Sequence, residues 1–267
     1  MKKSIKLLIN LAVATLLTLN ITGCNNKPND KTIVVGASPI PHKEILQAAK
    51  PLLEKQGYTL EITEFQDYSM PNTALKEKSL DANFFQHVPF LEKQKAERNY
   101  DFEYTAKIHI EPLGIYSRKV STLEEISDGS EITIPNDETN RGRALKLLEN
   151  TKLIKLKEGV KNPTIKDIEE NRKNLVITEI EAAQLPRTLE EVSAAIINTN
   201  YALIAKLNPV ENALALEEKD SPYANVLVCR REDMSSEKIK ALTKALTSNE
   251  VKKFIEDKYK GIIVPTF

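Results

Sequence analysis

Thr32-Ile33-Val34-Val35-Gly36-Ala37 is a short apolar run rich in β-branched residues, and it decides the fold class of the chain. A run without polar alternation suits a strand that is buried on both faces, as in a sheet covered by helices. Further along, short β-rich runs alternate with stretches of helical periodicity. That alternation predicts an α/β fold with a mainly parallel sheet.

The other predicted elements follow from the period of the apolar residues. Ile45, Ala49 and Leu52 recur at helical spacing. They predict a helix over 41–56 with a local kink at Pro51. By the same reasoning we predict further helices at 71–78, 89–98, 141–149, 189–193, 235–246 and 249–259. The remaining strands are predicted at 58–65, 81–85, 115–117, 131–134, 175–179, 194–197 and 226–229.

The element order predicts two lobes, because a second strand-rich unit starts after Glu111-Pro112-Leu113-Gly114. Lobe 1 is predicted to comprise residues 32–112 plus 226–267, and lobe 2 residues 113–225. In such an arrangement a ligand lies in the crevice between the units, at the carboxyl ends of the strands. Clamshell binding proteins are built this way, and many α/β enzymes have a similar element order.

The N-terminus has the pattern of an export signal. Lys2, Lys3 and Lys6 precede an apolar run from 7 to 19, which is too short and interrupted for a stable membrane-spanning helix. The run ends in Leu-Thr-Leu-Asn-Ile-Thr-Gly-Cys at 17–24, which resembles the lipobox of bacterial lipoproteins. We therefore predict a signal peptide at 1–23, lipidation of Cys24 and a polar, flexible tether over 24–31. The alternative is an ordinary signal peptide with an incidental cysteine.

Composition narrows the function classes further. The 38 basic residues balance 38 acidic ones, so the chain has no basic field for nucleic acid. No apolar run after the signal is long enough to cross a bilayer. If Cys24 carries lipid, Cys229 has no partner for a disulfide, and its apolar surroundings predict a buried free thiol.

The turn from Asn136 to Arg143 is the most specific candidate site on physical grounds. A helix start exposes unpaired N–H groups, and an arginine in its first turn adds donors that match a carboxylate. Arg141 and Arg143 are two residues apart, so on one helix they point about 200° apart and only one can face a cleft. Ordinary helix capping with solvated arginines is the alternative.

Other polar and aromatic residues follow predicted strands. Tyr68 and Phe85 could form apolar walls, with Asn198 and Asn225 as amide clamps, although such aromatics are often core and such amides often helix caps. The histidines His42, His87 and His109 form no close pair, so no metal site or cofactor is predicted. The chain lacks the common nucleophile, zinc-protease and nucleotide motifs, which disfavours an enzyme.

Longer runs resemble the NlpA-type lipoproteins, the methionine-binding lipoproteins of ABC importers. The resemblance extends over the chain from Thr32 and includes the lipobox. The runs that carry it are 83–90 (NFFQHVPF), 134–148 (IPNDETNRGRALKLL) and 197–202 (INTNYA), supported by 49–53, 181–187 and 220–225.

The resemblance implies a fold, a ligand and partners. The fold is the two-lobed periplasmic-binding-protein type, type II-like, and the ligand is L-methionine, free or in a short peptide. The chain is expected to be a monomer, anchored by lipid to the extracytoplasmic face of the cell membrane, that serves an ABC permease and ATPase. A surface adhesin and a receptor for another polar amino acid are the alternatives.

The resemblance also implies roles for individual residues. Tyr68 and Phe85 flank the thioether, and His87 lines the same wall. Arg143 holds the carboxylate, while Asn198 and Asn225 fix the backbone groups of the amino acid. The chain departs from the family's pattern at Glu138, where proline is common, at the extra Arg141, and at Asn200, where threonine is frequent. These departures leave the choice among methionine, its dipeptides and related amino acids open.

Overall fold

The computed structural model describes residues 31–219 and 221–267. The predicted signal peptide, Cys24 and nearly all of the predicted tether lie outside the described residues. Among the residues described, no helix has the length and apolar character needed to cross a membrane.

Within the described residues, strands form in both halves of the chain. In chain order they are β1 (Thr32–Ala37), β2 (Thr59–Glu64), β3 (Ala82–His87), β4 (Phe102–Ile110), β5 (Gly114–Tyr116), β6 (Glu131–Pro135), β7 (Lys155–Leu156), β8 (Ile168–Glu170), β9 (Val176–Ile180), β10 (Ala194–Ile197), β11 (Ala213–Leu216), β12 (Ala224–Arg230) and β13 (Val264–Pro265).

Helices alternate with these strands. They are α1 (Glu44–Glu54), α2 (Pro71–Lys76), α3 (Val88–Arg98), α4 (Glu138–Asn150), α5 (Leu185–Thr188), α6 (Thr199–Ile204), α7 (Pro209–Asn212), α8 (Glu237–Leu246) and α9 (Asn249–Tyr259). A π turn over Pro39–Lys43 joins β1 to α1, and short 3-10 turns lie at Ile165–Asp167, Ala182–Gln184 and Arg231–Asp233.

The strands form two principal sheets, each with its own core. The larger has the order β13-β4-β12-β3-β1-β2, and the smaller has the order β11-β5-β10-β6-β9. Ile33 and Val35 of β1 are fully buried beneath the helices of the first sheet. Ile132 of β6 and Leu145 of α4 belong to a separate core around the second. This is a two-lobed α/β architecture, as predicted.

The sheets are mixed, which corrects the prediction of a mainly parallel sheet. β1 and β3 are parallel, but β12 runs antiparallel to both β3 and β4. The reason is the path of the chain. It leaves the first sheet at Ile110, the end of β4, and returns at Ala224, which pairs with Ile110. A strand that enters the sheet at the edge where its neighbours end must run back along them.

The strands of the larger sheet come from residues 32–110 and 224–265, and those of the smaller from 114–216. β12 thus begins ahead of the predicted boundary at 226. The division into lobes at 112 and 225 stays a prediction.

Two of the predicted helices differ from those in the structure. The helix predicted at 189–193 is wrong, because the helix there spans Leu185–Thr188, where Pro186 suits the first turn. The helix predicted at 141–149 begins earlier, at Glu138, because the Asp137 side chain caps it by accepting from the backbone N–H of Asn140. The predicted buried free thiol is confirmed, and burial raises the pKa of Cys229 to about 11.

Candidate ligand-binding site

A cavity whose empty space, including the part open to solvent, is about 360 Å³ lies where the chain passes between the two sheets. The six predicted contact residues all line it: Tyr68, Phe85, His87, Arg143, Asn198 and Asn225. The other lining residues were given no individual contact role from the sequence, although Asn140 lies in the candidate turn at 136–143: His42, Gln86, Phe90, Glu111, Asn140, Thr199 and Asn200.

Strand and helix ends place these side chains. Phe85 and His87 end β3, and Asn225 near the start of β12 is the register partner of His87. Arg143 lies in the second turn of α4, and Asn198 is the N-cap residue of α6. The site therefore forms where strands end and helices start, as expected for an α/β crevice.

Aromatic rings form one wall of the cavity. The Tyr68 ring lies 6.1 Å from that of Phe85 and 5.9 Å from that of Phe90, measured between centroids. Phe85 and Phe90 meet edge to face at 6.0 Å. The Tyr68 hydroxyl donates to Oδ1 of Asn200 at 2.6 Å, and burial raises the tyrosine pKa well above its usual value. The wall is thus apolar and held in place by a hydrogen bond.

Arg143 is 4% exposed and is already engaged by the protein. Its Nε donates to Glu217 at 2.9 Å, its Nη2 contacts Glu217 and donates to the carbonyl of Glu111 at 2.7 Å. The guanidinium also stacks on Tyr223, 4.3 Å from the ring centroid. Within the described chain Nη1 makes no hydrogen bond. Arg143 can therefore donate to a ligand through Nη1. Its Nε and Nη2 atoms are already bonded to Glu217.

Arg141 lies on another side of the same helix. Its Nη1 is 3.3 Å from a carboxylate oxygen of Glu179 in β9. It is not one of the described residues that line the cavity. The opposed directions of Arg141 and Arg143 agree with helix geometry, but Arg141 is ion-paired and half-buried where solvent exposure was expected.

A hydrogen-bonded chain fixes His87, Asn140 and Asn198. His87 Nδ1 accepts from the backbone N–H of Phe90 at 3.1 Å, so its Nε2 carries the proton and donates to Oδ1 of Asn140 at 3.1 Å. Asn140 Nδ2 donates to Asp137, and Asn198 Nδ2 donates to Oδ1 of Asn140 at 2.9 Å. Burial lowers the pKa of His87 to about 3, which keeps its ring neutral. The Oδ1 atom of Asn198 is buried and has no partner among the described residues.

The other two histidines meet at a buried carboxylate, which their separation in the sequence did not reveal. His109 Nε2 lies 2.7 Å from Oε1 of Glu111, and His42 Nε2 lies 3.4 Å from the same oxygen. His42 Nε2 is also 3.0 Å from Oδ1 of Asn225. Burial lowers the pKa of His42 to about 4 and that of His109 to about 3.

His42, His109 and Glu111 have the residue types of a metal site, with ligand atoms within 4.8 Å of one another. Their geometry fits hydrogen bonds better. A separation of 2.7 Å is a hydrogen-bond distance, whereas two ligands on one tetrahedral zinc ion lie about 3.3 Å apart. Histidines that bind metal usually donate their second nitrogen, and Nδ1 of both rings lacks a partner among the described residues. The absence of a metal site stays a prediction.

The unpaired polar atoms define what the cavity can hold. Nδ2 of Asn200 is buried without a partner in the described chain. The hydrogen bonds that Arg143 and Asn225 make with described residues use Nε and Nη2 of the arginine and Oδ1 of the asparagine, which leaves Arg143 Nη1 and Asn225 Nδ2 for a ligand. These groups are donors, whereas Oδ1 of Asn198 is an acceptor. Donors beside an acceptor, facing an aromatic wall, suit a small zwitterion with an apolar side chain.

Comparison with known proteins places the chain among close relatives. It is 42% identical over 251 residues to the methionine-binding lipoprotein MetQ of Bacillus subtilis (strain 168), covering 91% of this chain and 92% of that protein. It is 39% identical to the D-methionine-binding lipoprotein MetQ of Escherichia coli O157:H7, covering 90% of this chain and 91% of that protein.

The chain is also similar to solved structures. A nutrient binding protein from Burkholderia cenocepacia bound to methionine is 44% identical with a TM-score of 0.86, covering 88% of this chain and all of that one. The methionine binding protein MetQ is 38% identical with a TM-score of 0.87, covering 90% and 99% of the two chains. An ABC transporter, periplasmic substrate-binding protein from Coxiella burnetii is 40% identical with a TM-score of 0.84, covering 88% of this chain and all of that one.

These matches confirm the predicted fold, a two-lobed periplasmic-binding-protein clamshell. The model of the NlpA lipoprotein family matches residues 33–267, nearly all of the described chain. The resemblance seen in the sequence is thereby confirmed, and the chain belongs to the NlpA lipoprotein family.

Proposed function

We propose that this chain is a lipid-anchored, extracytoplasmic receptor that captures methionine or a methionine-containing peptide and delivers it to an ABC importer. The similarity of the chain to two methionine-binding lipoproteins and to an ABC transporter substrate-binding protein supports this proposal. In this account the chain performs no chemical step. Closure of the lobes around the ligand is the signal that the permease and its ATPase detect.

The observation that carries the proposal is the division of the cavity into an aromatic wall and a polar wall. Phe85 and Tyr68 contact the thioether side chain, since sulfur makes favourable contacts with aromatic rings. Arg143 and Asn225 donate to the ligand carboxylate, and Asn198 accepts from the ammonium group. His87 lines the same wall as the aromatic residues, with its ring against that of Phe90.

The membrane anchor is part of the same proposal. Cys24 becomes the lipidated first residue after removal of residues 1–23, and residues 24–31 tether the fold to the membrane. The receptor acts as a monomer with lobes at 32–112 plus 226–267 and 113–225.

A melting-temperature screen tests the proposal. A ligand that binds only the native state adds about 2.7 kcal/mol of stability at a hundredfold excess over Kd. Purified protein that lacks residues 1–24 is screened against the amino acids and methionine dipeptides, and one methionine compound is expected to give the largest shift. A larger shift with another polar amino acid would reassign the ligand. A flat result with protein shown by mass spectrometry to be ligand-free would favour a surface adhesin.

A further inference from the structure

We propose that His42 is a positioning residue of the binding site. Held by Glu111, its Nε2–H fixes the side-chain amide of Asn225 with the nitrogen turned into the cavity. The inference rests on the proposed function, because it takes Asn225 to lie against the ligand. In this orientation Asn225 presents a hydrogen-bond donor to the ligand. A donor at this position selects a ligand carboxylate oxygen over the NH₂ group of a carboxamide.

The three side chains are packed together away from solvent. His42 is 1% exposed, and Glu111 and Asn225 are 6% exposed each. His42 lies in the π turn after β1, whereas Asn225 comes from β12, so the contact joins segments far apart in the chain. The His42 ring is also held edge to face against Phe84, with centroids 4.7 Å apart. It has little room to rotate away from Asn225.

The carboxylate of Glu111 decides which ring nitrogen of His42 carries the proton. A neutral imidazole has one N–H and one bare nitrogen. His42 Nε2 faces oxygens on two sides, Glu111 Oε1 at 3.4 Å and Asn225 Oδ1 at 3.0 Å. A bare Nε2 would hold its lone pair 3.4 Å from a carboxylate oxygen, which repels it, whereas a protonated Nε2 is attracted to that oxygen. The proton therefore lies on Nε2, and Nδ1, which lacks a partner among the described residues, is the bare nitrogen.

The protonated nitrogen in turn decides the orientation of Asn225. If its amide were reversed, two donors, His42 Nε2–H and Asn225 Nδ2–H, would face each other 3.0 Å apart. With Oδ1 on His42, no described residue accepts from the N–H groups of Asn225, and they are available to the cavity that this residue lines. His109 is the register partner of Asn225 in β4, and its Nε2 lies 2.7 Å from Oε1 of Glu111. With the proton on that nitrogen, His109 donates to the carboxylate and keeps it in place.

A second series of hydrogen bonds orients Asn198 in the same way. It leaves the amide oxygen of that residue, and not its nitrogen, for the ligand. The Asp137 carboxylate accepts a hydrogen bond from Nδ2 of Asn140, which turns Oδ1 of Asn140 the other way. That oxygen accepts from Nδ2 of Asn198. Oδ1 of Asn198 is thereby left without a partner among the residues that the structure describes. The buried Glu111 carboxylate and the half-buried Asp137 carboxylate, each acting through one other side chain, thus orient one asparagine as donor and the other as acceptor. That pair of polarities matches the carboxylate and ammonium groups of an α-amino acid.

The tautomer of His42 can be observed directly in the wild-type protein. Long-range ¹⁵N–¹H NMR distinguishes Nε2–H, Nδ1–H and doubly protonated imidazoles, and the chain has only three histidines to assign. At pH 7, His42 and His109 are both expected to be neutral Nε2–H tautomers. A His42 ring protonated at Nδ1 overturns the proposal. This result does not depend on methionine binding, so it separates failure of the inference from failure of the proposed function.

The effect on selectivity is measured as the ratio of Kd for methioninamide to Kd for methionine. In His42→Leu, Asn225 is free to reverse and offer its oxygen to the carboxamide, so the ratio is expected to fall about tenfold or more. His42→Gln retains a donor and is expected to keep the wild-type ratio within about threefold. Phe85→Ala is the matched control, since loss of apolar contact weakens both ligands and leaves the ratio unchanged. An unchanged ratio in folded His42→Leu overturns the proposal.

Discussion

Replacement of Arg143 with alanine tests the carboxylate side of the site most sharply. The wild-type guanidinium is held by Glu217, the carbonyl of Glu111 and the ring of Tyr223. Only Nη1 is left for the ligand within the described residues. The variant removes that donor and the positive charge behind it, and it leaves the half-buried Glu217 carboxylate without its ion-pair partner.

The magnitude follows from what a ligand gains. A hydrogen bond to a charged group contributes about 1.5–3 kcal/mol, and loss of one partner of a desolvated charge pair costs about 2–5 kcal/mol. Because Glu217 already faces most of the guanidinium, we expect the lower part of that range. A loss of about 2–3 kcal/mol corresponds to roughly 30- to 150-fold weaker binding of methionine.

Isothermal titration calorimetry of methionine into the variant gives the affinity. Arg141→Ala is the matched control, because it removes the same charge from the same helix and breaks one ion pair, that with Glu179. We expect it to change Kd by less than about threefold, as for a partly screened surface pair. If Arg141→Ala weakens binding more than Arg143→Ala, the carboxylate is not bound where the cavity places it and the reasoning fails.

Three other predictions follow from single features of the chain. Cys24→Ala should leave the protein unprocessed or release it from the membrane fraction, and an acylated, membrane-bound mature variant would refute lipidation at this residue. Burial lowers the pKa values of His42, His87 and His109 to about 4, 3 and 3, so these rings stay neutral in the native state while they take up protons in the unfolded chain below pH 6.5. Their contribution to stability is fully present above pH 6.5 and falls by about 1.4 kcal/mol per pH unit for each histidine as the pH drops towards 4, so urea midpoints that are equal at pH 7 and pH 5 would contradict their burial as neutral rings. Phe85→Ala should weaken methionine binding about 10- to 100-fold, because the side chain is 3% exposed and lines the apolar wall, and calorimetry showing wild-type affinity would remove it from the site.

The alternation of strands and helices could be predicted because the periods of their apolar residues differ. β1 is apolar throughout and fully buried at Ile33 and Val35, as the sequence indicates. β4 was missed although its sequence, FEYTAKIHI at 102–110, alternates strictly between apolar and polar residues. That alternation is the signal of a half-buried strand and could have identified it. The direction of β12 could not be predicted, because it depends on where the chain re-enters the sheet.

The lining of the cavity could be predicted in part. The family motifs identified Tyr68, Phe85 and Arg143, which do line it. They did not reveal that Glu217 faces Arg143, since the two residues are 74 positions apart. No sequence spacing brings His42 to Asn225 either, because their contact spans 183 residues and exists only through sheet pairing. Contacts between distant segments carry no local pattern, so the partners that orient the site became visible only in the structure.

The most direct test of the central claim is calorimetric titration of L-methionine into protein without residues 1–24 that has been freed of ligand by unfolding and refolding. We predict saturable binding with one methionine per chain, abolished or strongly weakened in Arg143→Ala. Absence of binding heat across temperatures, with refolded protein that is monomeric, native by circular dichroism and ligand-free by mass spectrometry, would contradict the assignment of this cavity as a methionine site.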